Sequence, residues 1–166
     1  SLEIARGDRP DFFNLRYKKP EPFVPRYLRT EVPGRIDFLG KEIEKLDLSG
    51  IPQIIKNFKK HGVQSIAICL IHSYANTDHE ASVYQEIKKL WPEVEVIASH
   101  ELTREWREYE RTNTTVLCAY VKPIAKKYLD NLHSKLIESN FTSNPYVMQS
   151  NGGIDTFDAT KSTPLT

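Results

Sequence analysis

The sequence is short of cysteine, of net charge and of long apolar runs, and each shortage removes a class of protein. Only two cysteines occur, Cys69 and Cys118, each inside an apolar-periodic segment. That excludes a disulfide framework and reads as reduced, buried thiols. The formal net charge of +1 leaves no electrostatic footprint for nucleic acid or an anionic membrane. No apolar run approaches the roughly 18 residues a bilayer span needs, and the first residues carry no signal-peptide pattern, so the expected setting is the cytoplasm. Neither G-x-x-x-x-G-K-[ST] nor G-x-G-x-x-G occurs, which removes phosphate loops of those kinds. No nucleophile elbow supports Ser/His/Asp catalysis. The chain starts Ser-Leu-Glu-Ile and stops at Thr163-Pro-Leu-Thr166; both ends read as cut, as in an excised piece of a longer protein.

What is there fits one domain. A chain of 166 residues buries about 70% of its unfolded surface. Residues 1–26 hold Pro10, Pro20, Pro22 and Pro25, which remove donors and disfavour helix, so this stretch is expected to be an extended, irregular arm. Its Phe12, Phe13, Leu15, Tyr17 and Phe23 are too apolar for a free linker and are expected to pack on a body, part of it missing here. Residues 27–166 are expected to form a single α/β domain. Within it, 27–32 and 35–46 read as strands, the latter a hairpin turning at Gly40. Ile51, Ile54, Ile55 and Phe58 give a helix after an Asp47 or Ser49 cap, ending at Gly62. The run 66–71 reads as a buried strand. A helix capped by a Thr77–Glu80 box follows, then a strand at 94–98. A third strand is expected at 146–149 and a short helix at 155–163.

The stretch 102–137 has apolar residues at helical spacing, Trp106, Tyr109, Val116, Leu117, Tyr120, Ile124 and Tyr128 among them, as one helix or two broken at Pro123. Its other face carries Arg104, Arg107, Glu108 and Arg111.

Alternation of helix and strand implies a mainly parallel sheet with crossover helices, preceded by the Pro-rich arm and the β-hairpin. Ligands of open parallel sheets bind beyond the carboxyl ends of the strands. Those ends are His72-Ser73-Tyr74, Ser99-His100-Glu101 and Ser150-Asn151-Gly152-Gly153, and all are expected on one edge. His72, His79, His100 and Glu101 match no compact metal-ligand spacing, so no metal is expected.

Four stretches carry a resemblance: Arg9-Pro-Asp-Phe-Phe-Asn-Leu-Arg-Tyr17; Cys69-Leu-Ile-His-Ser-Tyr-Ala-Asn76 with His79-Glu80; Arg107-Glu-Tyr-Glu-Arg-Thr-Asn-Thr-Thr115 through Ala119-Tyr-Val-Lys-Pro123; and Met148-Gln-Ser-Asn-Gly-Gly153. In this order they resemble the hydantoinase A/5-oxoprolinase family, which includes acetone carboxylase subunits. The resemblance implies a piece of an actin-like, sugar-kinase-like ATPase fold, within an ATP-dependent enzyme that opens a cyclic amide such as 5-oxoproline or a hydantoin, or carboxylates a ketone. It implies ATP and Mg in the parent enzyme, held by glycine-rich Asp-x-Gly-Gly-Thr segments that flank this region and are absent from it. No cofactor is therefore expected on these residues alone, nor activity in isolation. Expected partners are a small cyclic amide or related carbonyl compound, the remainder of the parent chain and a hydantoinase B-type subunit, with no nucleic acid and no membrane.

With that resemblance, Arg107 and Arg111 are candidates for stabilising developing charge, with Glu108 and Glu110 orienting them. His72, His100, Ser150, Asn151, Gly152 and Gly153 are candidates for holding the substrate. The alternative is a non-catalytic subunit-assembly module in which these motifs serve packing alone.

Overall fold

A computed structural model describes residues 2–5, 13–149 and 152–162. After a 3-10 turn at Arg26–Leu28 come β1 (Arg35–Ile36), β2 (Glu42–Glu44), α1 (Ile51–Lys60), β3 (Ser65–Ile68), α2 (Asp78–Leu90) and β4 (Glu95–Ala98). Then follow α3 (Ser99–Leu102), α4 (Glu108–Glu138), β5 (Tyr146–Met148), β6 (Ile154–Thr156) and α5 (Phe157–Ser162).

The arm and the start of the body differ in part from expectation. The stretch 27–32 is not a strand among the described residues; it leaves the 3-10 turn as irregular chain. Phe13 and Leu15 are almost wholly exposed, and Phe12 lies outside the described residues. The hairpin forms as expected, β1 pairing antiparallel with β2. Asp37 makes its turn, its Oδ1 accepting the Leu39 and Lys41 amides at 2.9 and 2.8 Å. Gly40 has φ +85°, which favours glycine, and a Cβ there would stand 3.2 Å from the Ala75 carbonyl oxygen. The Asn76 side-chain amide donates to the Gly40 carbonyl at 3.0 Å, clipping the hairpin to the loop that follows β3.

The core is built on β3 and β4, which pair in parallel with Ser65 opposite Glu95 and Ile68 opposite Ala98. On one side α1 contributes Ile51, Ile55 and Phe58 and α2 contributes Val83 and Ile87, packed on Ile66, Ile68, Val94 and Val96. Each such side chain contributes about 1.5–3 kcal/mol through burial. Pro52 sits in the first turn of α1, where its missing donor costs little, but the helix is preceded by Gly50 and uses no side-chain cap. Asp47 instead accepts the Ser49 amide at 2.8 Å. On the other side Cys118 and Ala119 of α4 pack on Ile97, with Ala67 and Leu102 alongside.

Three corrections follow from the architecture. Among the described residues the fold is mixed α/β with three two-stranded sheets, of which only β3–β4 is parallel. The third expected parallel strand, β5, pairs antiparallel with β6. A short Gly-containing connection closes a local hairpin without the long crossover a parallel partner needs, with Gly152 at φ +84° and its amide donating to the Gln149 carbonyl at 3.0 Å. Second, the long helix begins at Glu108 and not near Thr103, because Thr103 and Arg107 hold extended backbone; it then passes through Pro123 unbroken. Third, its buried side is Arg111, Thr112, Thr115, Val116, Cys118, Ala119 and Leu129, whereas Tyr120, Ile124 and Tyr128 are exposed. Threonine is hidden there at little cost because Thr112 and Thr115 donate to the carbonyls of Glu108 and Arg111, each at 2.7 Å.

Candidate functional site

Parallel pairing brings the carboxyl ends of β3 and β4 to one edge. The loop after β3 carries His72 and Ser73 there, and α3 starts there with Ser99 and His100. The organising group is Glu80, in the first turn of α2 and wholly buried. It does not close the expected capping box; Thr77 makes no side-chain cap, and the Asp78 amide is taken by Asn76 Oδ1 at 2.9 Å. Glu80 points inward and accepts four hydrogen bonds. The Leu70 amide and the Ser99 hydroxyl donate to Oε1 at 2.7 Å each, while the His100 amide and ring Nδ1 reach Oε2 at 3.0 and 2.8 Å.

Arg111 reaches the same place from α4. It is buried, with Nη1 donating to Ser73 Oγ and Nη2 to the Leu70 carbonyl at 2.8 Å. Ser73 Oγ lies 3.2 Å from Ser99 Oγ. Guanidinium only donates and carboxylate only accepts, so both hydroxyls must point one way. The result is a relay from Arg111 through Ser73 and Ser99 to Glu80, in which opposite charges compensate across two hydroxyls without touching. The Arg111 charge also stands 6.0 Å from the centre of the Tyr74 ring.

Beside the relay, burial pushes the Cys69 thiol up to about 11, and Glu80 adds to the rise; the Thr115 and Thr112 hydroxyls and the Arg111 charge pull only partly the other way. Roughly one such thiol in a thousand is ionised at pH 8, and thiolate is the reactive form. Native protein treated with iodoacetamide at that pH is therefore expected to stay unmodified at Cys69 until denatured. Peptide mass spectrometry checks this, and rapid native labelling would contradict it.

The expected site residues fall into separate groups. His72, at φ +59°, joins Tyr74, its Nδ1 lying 3.3 Å from the phenolic oxygen. His100 and Arg111 belong to the relay. Arg107 is exposed, immediately precedes α4 and stands with its charge 5.4 Å from the Trp106 ring centre. It lies one helical turn before Arg111, about 6 Å along the axis. Glu108 and Glu110 occupy the first turn of α4, where carboxylates favour the helix dipole. Arg104 lies before the helix, so the four-residue spacing from Arg104 to Glu108 does not stack the two side chains. Gly152 and Gly153 sit in the β5–β6 turn, and Ser150 and Asn151 lie outside the described residues. The segment after the turn, α5, packs on α4 near Asp130 and His133: Lys161 pairs with Asp130 at 2.7 Å and Phe157 meets His133. That anchorage is about 30 Å along α4 from Arg111.

Sequence reasoning missed Glu80, Ser73 and Ser99 as members of the cluster. The two serines were legible as neighbours of the strand-end histidines. Glu80 was masked by the competing cap assignment. Among the described residues no three His, Cys, Asp or Glu side chains converge to hold a metal ion.

Two family descriptions match the chain: "Hydantoinase/oxoprolinase N-terminal region" over residues 1–91 and "Hydantoinase/oxoprolinase" over residues 111–166. The caprolactamase subunit alpha of Pseudomonas jessenii is 34% identical over 93% of this chain and 22% of its own length. The crystal structure of the ATP-dependent caprolactamase from that organism superposes with TM-score 0.82 at 35% identity, over 92% of this chain and 22% of that one. The 5-oxoprolinase of Saccharomyces cerevisiae is 29% identical over 93% of this chain and 14% of its own. A nucleotide-free acetone carboxylase structure superposes with TM-score 0.74 at 26% identity, over 87% of this chain and 21% of that one. The chain thus spans about a fifth or less of these proteins' length.

Proposed function

Because this chain belongs to the hydantoinase/oxoprolinase family, we propose that it is the segment of an ATP-dependent cyclic-amide hydrolase that builds the substrate side of the active site, inactive in isolation. One observation carries the reading: the β3–β4 edge gathers His100, Ser73, Ser99 and Arg111 around a buried carboxylate, with His72 in the adjoining loop and Arg107 one turn further out. The caprolactamase structure is 35% identical against 26% for the acetone carboxylase, and that difference supports a cyclic amide as substrate.

In the β5–β6 hairpin turn the Gly152 amide donates to the Gln149 carbonyl. ATP and Mg are assigned to the remainder of an actin-like parent, and a hydantoinase B-type subunit is a further proposed partner. Residues 1–26 are read as an arm on the body formed by 27–166, in a cytoplasmic enzyme. At the edge, Arg107 supplies positive charge, Glu108 and Glu110 orient that end of α4, and His72, Asn151 and the Gly152–Gly153 turn are the proposed substrate contacts.

The test is ADP release by the full-length protein with 5-oxoproline, lactams, hydantoins and simple ketones. Stimulation by a cyclic amide is expected; stimulation by a ketone alone, or by none, overturns the reading. In the responding reaction Arg107→Ala is expected to lower turnover ten-fold or more, about what loss of a positioned charge costs. A folded, fully active Arg107→Ala protein would remove that residue from the site.

A second reading has its own support. Tyr120, Ile124 and Tyr128 expose an apolar stripe on α4. Tyr120 and Ile124 also line a groove of about 910 Å³, together with Phe23, Leu28 and Ile54. Such a surface fits an assembly module. Unchanged turnover in every edge variant, with loss of subunit association in Ile124→Asp, would favour it.

A further inference from the structure

We infer that Glu80 is a positioning residue that aims His100, and that His100 Nε2 accepts a proton or hydrogen bond from a ligand at this edge. The inference rests on the reading that the edge faces substrate.

Glu80 is wholly buried, so no ligand reaches it directly. What it holds is partly open: the His100 side chain is 14% exposed, and its Nε2 has no hydrogen-bond partner among the described residues. Backbone amide and ring Nδ1 of the same histidine donate to one oxygen, Glu80 Oε2, which fixes the ring's position. With Nδ1 donating, the neutral imidazole keeps its lone pair on Nε2. The other oxygen is held by Leu70 and Ser99, and Ser99 leads back through Ser73 to Arg111. The carboxylate thus cannot rotate without breaking bonds to the loop after β3, to α3 and, through the serines, to α4. An acceptor held this firmly at a sheet edge suits catalysis or recognition, where orientation decides efficiency.

The ligand group must be an N–H or O–H. It is either the ring N–H of a cyclic amide or the attacking water. In the latter case the water O–H bond breaks, its proton passes to Nε2, the oxygen bonds to the carbonyl carbon and the C=O π pair moves onto the carbonyl oxygen.

The full-length protein tests this with its responding substrate. His100→Ala is expected to lower kcat/KM by about 100-fold or more. If water is the donor, the loss falls on kcat and imidazole added to His100→Gly restores part of it; an N-methylated substrate leaves the penalty in place. If the ring N–H is the donor, the loss falls on KM and disappears with the N-methylated substrate. Glu80→Gln distinguishes positioning from packing, because an amide has one acceptor oxygen and cannot serve both pairs of donors. It is expected to impair the wild-type background strongly yet change the His100→Ala protein less than two-fold, since its effect passes through the histidine. Equal impairment in both backgrounds, or full activity of a folded His100→Ala protein, overturns the inference. Absence of turnover by the wild type with every cyclic amide overturns the functional reading beneath it instead.

Discussion

Glu80→Leu is expected to destabilise the fold by about 3–5 kcal/mol, the range for breaking a buried charge pair from one side. The substitution removes the acceptor for the Leu70 amide, the Ser99 hydroxyl, and both the amide and ring of His100. Leucine fills much of the volume but accepts nothing, so each orphaned donor adds its own desolvation cost. The Arg111 charge is then buried without its compensating anion. Denaturant unfolding of the full-length protein, read by hydrogen exchange at the amides of Leu70 and His100, measures the loss where it arises. A change under 1 kcal/mol would mean that the loop after β3 and α3 are held by something other than this carboxylate.

The parallel pair at the centre was legible because its signals agree. Ile66 and Ile68 lie between the amphipathic α1 and α2 and Val94 and Val96 follow α2, although the first strand stops at Ile68 and not at Ile71. Their polar carboxyl ends could be placed on one edge from chain direction alone, and Ser73, Ser99 and His100 do meet there around Glu80, whereas His72 turns to Tyr74 in the adjoining loop. The third strand was misplaced because a strand pattern says nothing about its partner; local closure through Gly152 competed with a crossover and won. Helix α4 misled for a different reason. Its aromatic stripe has the period of a core face, but Tyr120, Ile124 and Tyr128 face outward while Arg111, Thr112 and Thr115 face inward. Polarity assigns those residues to the surface, and only the relay and the backward hydroxyl bonds explain their burial. Arg107 and Arg111 therefore look equivalent in sequence and differ completely in place: one is exposed, the other is buried in the relay.

That difference has a measurable consequence. Arg111→Met is expected to cost about 3 kcal/mol or more, whereas Arg107→Met should stay within about 0.5 kcal/mol. Methionine keeps the length and apolar stem of arginine, so the loss isolates the guanidinium. Without it the Leu70 carbonyl loses its 2.8 Å donor and keeps only the Ser73 amide at 3.5 Å, the Ser73 hydroxyl loses the donor that sets its direction, and Glu80 becomes a buried anion without a cation. Arg111→Lys should recover little, because one ammonium on a thin stem does not span Ser73 and the Leu70 carbonyl as a planar fork does. The double replacement Glu80→Leu with Arg111→Met provides the sharper measurement. If the two charges compensate through Ser73 and Ser99, removing both leaves no unpaired charge, and the double variant is expected to lose less stability than the two single losses added together. Simple additivity would show that each group is held by its own neighbours and that the hydroxyls between them carry no coupling.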